Sequence, residues 1–187
     1  MSVKRQELIE TAISLFAKHG FHGTGIDRIA EQANVSKKTM YHHFRSKEEL
    51  ILAALRHHDG LFRNHFMKAV NHTSDDAYDR LLNIFDVAHT WFSGKEFYGC
   101  IFINAIGEYS EQNTSIRQVC KEFKRSMLGY IEELAEHAQL NKPHEVASSL
   151  GLLLEGSIVT AQVSGDPASA NTAKQAAKVI VDSARKE

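Results

Sequence analysis

Residues 24–50, TGIDRIAEQANVSKKTMYHHFRSKEEL, hold the pattern that decides the fold. Thr24 is a good residue to cap a helix, and Asp27 three positions on makes an acidic variant of the capping box. Ile26, Ile29, Ala30 and Ala33 then recur at helical spacing. Asn34 breaks that pattern. It is one of the few non-glycine residues that accept a left-handed backbone, so a tight turn is expected there. Ser36 is placed to cap a second short helix reaching to about Phe44. Ser46 and Glu49 form a Ser-x-x-Glu box opening a third, longer one. A short helix, a tight turn and another short helix make a helix-turn-helix. Val35, Met40 and Phe44 are its expected buried contacts, and small Ala30 lets the two helices approach closely. The opposite face of the second helix carries donors: Lys37, Lys38, Tyr41 and His42. In this motif that helix enters the major groove of DNA.

Working outward, the 187 residues allow one domain, or a small domain joined to a larger one. With 43% apolar residues and two prolines, the chain reads as globular and mostly helical. A net charge of −1 does not suggest a general polyanion binder, but the charge is unevenly placed. The first 50 residues hold eight Lys/Arg against six Asp/Glu, and the remainder 14 against 17. A mildly basic head precedes an acidic body. Cys100 and Cys120 are the only cysteines, which is no disulfide framework. The opening MSVKRQELIE has no apolar signal segment, and no apolar run approaches the ~18 residues of a membrane span. A cytoplasmic protein without membrane contact is expected.

Before the motif, Leu8, Ile9, Ala12, Ile13 and Phe16 mark one more helix, ended at Gly20. After it, breaks at NHTSDD (71–76), SGKEFYG (93–99) and SGDP (164–167) separate long periodic segments. Pro143 suits the first turn of a helix, and Asp166-Pro167 reads as the cap and first position of the last. The expectation is an all-α chain of about nine helices. A helix-turn-helix domain would span 1–47 and a separate all-helical body 48–187.

At this point a family resemblance is clear. Gly20-Phe21, Thr24, Ile29-Ala30, Val35-Ser36, Tyr41 with Phe44, and Lys47 follow the pattern of the TetR family of bacterial transcriptional regulators. The match is ungapped over residues 20–50. It departs at Asn34, where glycine is usual, and at Lys38, where a small residue is common. GCIFINAIGE (99–108) resembles a segment of one subgroup of the same family. The resemblance implies that Thr24 and Lys47 sit at helix N-termini facing DNA phosphates. The partial positive charge of a helix start favours such contacts. By its match to the family, Tyr41 is expected to touch a phosphate or base edge, and His43 likewise. Ser36, Lys37, Lys38, Thr39 and His42 are the base-reading candidates, since lysine reaches guanine acceptors and threonine a thymine methyl.

In the body, Phe62, Phe66, Phe85, His89, Phe92, Phe102, Asn104 and Phe123 are the candidate lining of an apolar effector pocket with few polar groups. The resemblance implies a dimer contact on the last two helices, residues 143–186. Leu150, Leu154, Ile158, Ala161, Ala173, Ala177 and Ile180 are the apolar and small residues expected there. His57 and His58 are adjacent, and no Cys-x-x-Cys or His-x-x-x-His spacing occurs, so no metal or other cofactor is expected. No nucleophile–base set or phosphate loop argues for an enzyme. The implied function is a homodimeric repressor that releases a palindromic double-stranded operator when a small lipophilic effector binds. An activator or a protein-interaction module on the same fold is the alternative.

Overall fold

The computed structural model describes residues 2–109 and 114–185. Lys186, the last residue of the expected dimer segment, lies outside the described residues. Those described form nine α-helices and no strand: α1 (Val3–His19), α2 (Ile26–Gln32), α3 (Lys37–His43), α4 (Lys47–Asn71), α5 (Ala77–Phe92), α6 (Ile101–Glu108), α7 (Ser115–His137), α8 (Pro143–Ser164) and α9 (Ser169–Ser183). The fold is all-α. The breaks read from the sequence fall between helices, with two adjustments. Gly25, not Thr24, is the N-cap of α2. α9 begins two residues past Pro167, although Asp166 Oδ1 still accepts from the Ala168 N–H at 2.8 Å.

The chain divides into two compact units. The first joins the residues through Leu61 with Cys100–Phe123, and the second joins Phe62–Gly99 with the residues from Lys124 onward. In the first unit, α1, α2 and α3 close over Leu8, Phe16, Phe21, Ile29, Met40 and Phe44, all buried. Leu50, Ile51, Ala54 and Leu55 of α4 are buried as well. Each large aliphatic or aromatic side chain so buried contributes ~1.5–3 kcal/mol of transfer free energy. Phe16 and Phe21 stack at 4.8 Å across the end of α1. Gly20 ends that helix with φ 77°, a conformation that suits a residue without Cβ.

In the second unit α9 packs against α8 and α5. Leu81, Ile84, Phe85 and Ala88 of α5 are buried, as is Val181 of α9. So are Leu150, Leu154, Ile158 and Ala161 of α8, with Ala173 and Ala177 of α9. These last six are residues that the sequence pattern assigns to the dimer contact, and the structure corrects that placement. They belong to the chain's own core, where the small alanines let α8 and α9 approach closely. Ile180 is half-buried. The reason for the difference is that α8 is apolar on two faces, and periodicity cannot say which face turns inward. Polar ties add to the packing: Lys174 Nζ reaches Asp86 at 2.5 Å, and the Tyr78 hydroxyl donates to Asp182 at 2.5 Å. α8 is also long and apolar enough, by length and composition alone, to cross a membrane, contrary to the expectation from uninterrupted apolar runs. Its buried stripe is satisfied by the unit it packs in.

Candidate DNA-reading face

The turn between α2 and α3 is made by Asn34, whose φ of 52° lies in the left-handed region. That conformation turns the Val35 N–H back to the Ala30 carbonyl at 2.9 Å and the Asn34 N–H to the Glu31 carbonyl at 3.0 Å. The two bonds close a Schellman-type helix end, so the asparagine does here what glycine usually does. Ser36 then caps α3: its Oγ accepts from the Thr39 N–H at 3.0 Å and lies 2.9 Å from Thr39 Oγ1. Met40 and Phe44 are fully buried beneath the helix. At the start of α4, Ser46 Oγ accepts from the Glu49 N–H at 3.2 Å, while Glu49 Oε2 accepts from the Arg45 N–H at 2.8 Å. The box is displaced by one residue from its usual form, but both ends of it are satisfied.

The donors on the outer face of α3 fall into distinct environments. Lys37 is committed to Asp27 of α2, with Nζ 2.7 Å from Oδ1. That hydrogen bond and charge hold the lysine above its ordinary pKa. Lys38 and His42 are exposed, and Tyr41 is 46% exposed, high for an aromatic residue. His43 is half-buried, with its ring 5.2 Å from that of His42. The hydroxyls of Ser36 and Thr39 are occupied with each other and with the first turn of α3. Lys47 stands in the first turn of α4, half-buried. Loss of water pulls its pKa down, and the charge of Glu108 opposes that shift.

Thr24 is a correction. It is fully buried, and its hydroxyl donates inward, to the Gly20 carbonyl at 2.7 Å and the Leu15 carbonyl at 3.3 Å. A side chain so enclosed neither caps α2 nor reaches a phosphate. It fastens the α1–α2 loop. The sequence also gives no sign of the Glu108 carboxylate, which lies against that same loop from 87 positions away. Only the folded chain brings α6 there.

The eight candidate pocket residues are divided between the units. In the first, Phe102 of α6 and Phe123 of α7 stack at 3.9 Å, with the His58 ring 5.9 Å from Phe102. Burial pushes His58 down to about 4. Asn104 is half-buried on the same helix as Phe102. In the second unit, Phe62 stacks with Phe66 at 5.7 Å and meets Trp91 at 4.8 Å. Phe92 and Phe97 complete that cluster at 4.9 Å. Phe85 is fully buried in this unit, and His89 is half-buried on the same helix. A separate cavity of about 340 Å³ in the first unit is lined by Arg56, Thr114, Arg117, Gln118 and Lys121, none of them in the expected set.

A helix-turn-helix with exposed lysine, tyrosine and histidine on its second helix, in an otherwise helical chain, defines a DNA-binding regulator. Comparison with known proteins gives the family. The profile of bacterial regulatory proteins of the tetR family matches residues 8–54, and that of the tetracyclin repressor-like C-terminal domain matches residues 77–177. The chain belongs to the TetR family of transcriptional regulators. Among curated relatives, the Bacillus subtilis HTH-type transcriptional regulator YerO is 44% identical over 64 residues, 34% of this chain and 22% of that protein. The Mycolicibacterium smegmatis transcriptional activator FasR is 38% identical over 73 residues, 39% of this chain and 33% of FasR. The chain thus spans a third or less of the length of these two relatives. A crystal structure of a TetR-family transcriptional regulator from Streptomyces coelicolor superimposes with a TM-score of 0.88. It is 26% identical, with 98% of this chain and 96% of that one covered.

Proposed function

We propose that this regulator is a cytoplasmic homodimeric repressor that binds a palindromic operator and releases it when a small lipophilic molecule occupies its helical body. The observation that carries the reading is the exposed face of α3, where Lys38, Tyr41 and His42 stand clear of the protein while Met40 and Phe44 anchor the helix from below. Lys38 and His42 are assigned to base edges. Tyr41, His43 and Lys47 are assigned to the sugar-phosphate backbone, which positions the protein without carrying sequence information. Ser36 and Thr39 contribute through the cap they form, and Lys37 approaches DNA only by releasing Asp27.

The dimer contact is assigned to the exposed stripe of α8. Leu152, Gly156, Val159 and Val163 follow one another at helical spacing, with Leu152 and Val163 74% and 84% exposed. Val179, 70% exposed, and Ala176 offer the matching surface on α9. An apolar stripe of this length is costly to leave in water. The effector is assigned to the aromatic cluster of Phe62, Phe66, Trp91 and Phe92 within the second unit, a setting that favours an apolar molecule held by a few polar groups. The ligand acts by favouring one of two arrangements of the reading helices. An activator is the second reading, favoured by the activator FasR among the relatives.

The test is footprinting on DNA flanking the protein's own gene, repeated with a panel of aromatic and aliphatic small molecules. Protection of an inverted repeat that at least one molecule abolishes is expected. Protection that no molecule alters would remove the effector from the proposal. Transcription from the protected promoter that rises on adding protein would replace repression by activation.

A further inference from the structure

Glu108 ends α6, and its side chain is spent on the loop that opens the helix-turn-helix. Oε1 accepts the Phe21 N–H at 2.7 Å, and Oε2 accepts the His22 N–H at 2.5 Å. Oε2 is also 3.0 Å from His22 Nδ1. Two successive backbone N–H groups aimed at one carboxylate form an anion cradle, filled here by the chain itself. The next residue, Tyr109, adds an edge contact to the Phe21 ring at 6.1 Å and a tilted contact to His22 at 4.8 Å. The fit is close: a Cβ on Gly20 would stand 2.9 Å from Glu108 Oε1.

The loop so gripped has little freedom. Phe21 is anchored in the core against Phe16, and Thr24 fastens the loop from inside to Gly20 and Leu15. Ile26 begins α2 two residues after Thr24, so the direction in which the loop leaves α1 sets the direction of α2. The Schellman turn then fixes α3 on α2. His22 is exposed, so water could satisfy its N–H without the carboxylate. Phe21, by contrast, is fully buried, so its N–H relies on the carboxylate, and charge-assisted bonds to a carboxylate are stronger than those water supplies.

We propose that Glu108 is a positioning residue for DNA binding, whose clamp on Phe21 and His22 ties the last turn of α6 to the presentation of α2 and α3. It touches no base or phosphate. Its neighbour Lys47, an expected phosphate contact, feels the same carboxylate, which helps to keep the amine charged in its half-buried place.

The test compares wild type with Glu108→Ala and with Glu108→Gln, which keeps the size and one acceptor oxygen. Two quantities are read on protein shown by circular dichroism to be fully folded. One is hydrogen exchange at the Phe21 and His22 amides. The other is affinity for a duplex selected from a random library by the wild type. Faster exchange at both amides is expected, with affinity falling about tenfold for alanine, equivalent to ~1.4 kcal/mol, and less for glutamine. A purely structural role would lower the melting temperature and leave the affinity of folded protein unchanged. Wild-type affinity in either folded variant despite lost amide protection overturns the proposal, as does unchanged protection in both. Exchange is read without DNA, so a wild type that selects no duplex would count against the reading face, not against the clamp.

Discussion

Lys37 and Lys38 are neighbours in the sequence with different freedom to act. Lys37 is held by Asp27 at 2.7 Å, while Lys38 is exposed beside it. Lys38→Ala should therefore cost ~1–3 kcal/mol on the operator and relax base preference at one position in each half-site. Lys47→Ala should weaken binding to all sequences about equally and reduce the salt dependence by about one counterion. Affinity against operator variants at several salt concentrations separates the two. Uniform weakening by Lys38→Ala would make it another phosphate contact.

A second residue with a measurable signature is His58. Burial beside Phe102 holds it down at about 4, against 6.5 for the free side chain. The unfolded chain thus binds a proton that the folded chain refuses between those values. Stability from this residue is full above pH 6.5 and is lost as pH falls toward 4. The loss should be about 2–3 kcal/mol by pH 4.5. Urea unfolding at pH 7 and pH 4.5 should show that increment shrink in His58→Gln, and an equal pH dependence in both proteins would refute the assignment. Much at this scale was legible in the sequence, including the Asn34 turn and the Ser36 cap. Thr24 was not, because a threonine before a helix reads as a cap whether its hydroxyl points out or in. Asp27 read as the acid of a capping box with Thr24, but α2 has no side-chain cap, and Asp27 is instead the partner that occupies Lys37.

The same limit appears, enlarged, in α8. Helical spacing marks Leu150, Leu154 and Ile158 as one stripe and Leu152, Val159 and Val163 as another. Composition alone does not choose which stripe meets the chain's own α5 and α9. The structure makes the choice: the first stripe is core, and the second is exposed. The two stripes should respond differently to a charge. Leu154→Glu buries a carboxylate without a partner and should destabilise the fold by at least ~3 kcal/mol. Val159→Glu should leave the helical content of the folded chain unchanged by circular dichroism and convert a dimer to monomers in light scattering. A full dimer for Val159→Glu would move the interface elsewhere. Helix number and order were legible throughout, since caps and breaks are local. α6 was legible as a helix around 100–110, but its grip on the α1–α2 loop depends on a contact between residues 87 positions apart.

At the scale of the molecule, the proposed repressor joins a reading face, a helical body and a second copy of the chain. A two-fold dimer places two recognition helices about one turn of DNA apart, ~34–36 Å, so its preferred site must itself be an inverted repeat. That requirement depends on α3 reading bases and on the chain pairing through a closed symmetric contact. The measurement that tests it most directly is selection of binding sites from a library of random duplexes by the purified protein. Enrichment of one inverted repeat, with half-site centres about 10 base pairs or a multiple of that apart, is the predicted result. The repeat should lose one defined position per half when Lys38→Ala is used. Retention of duplexes with no common sequence, or of a single unrepeated half-site, would contradict the account.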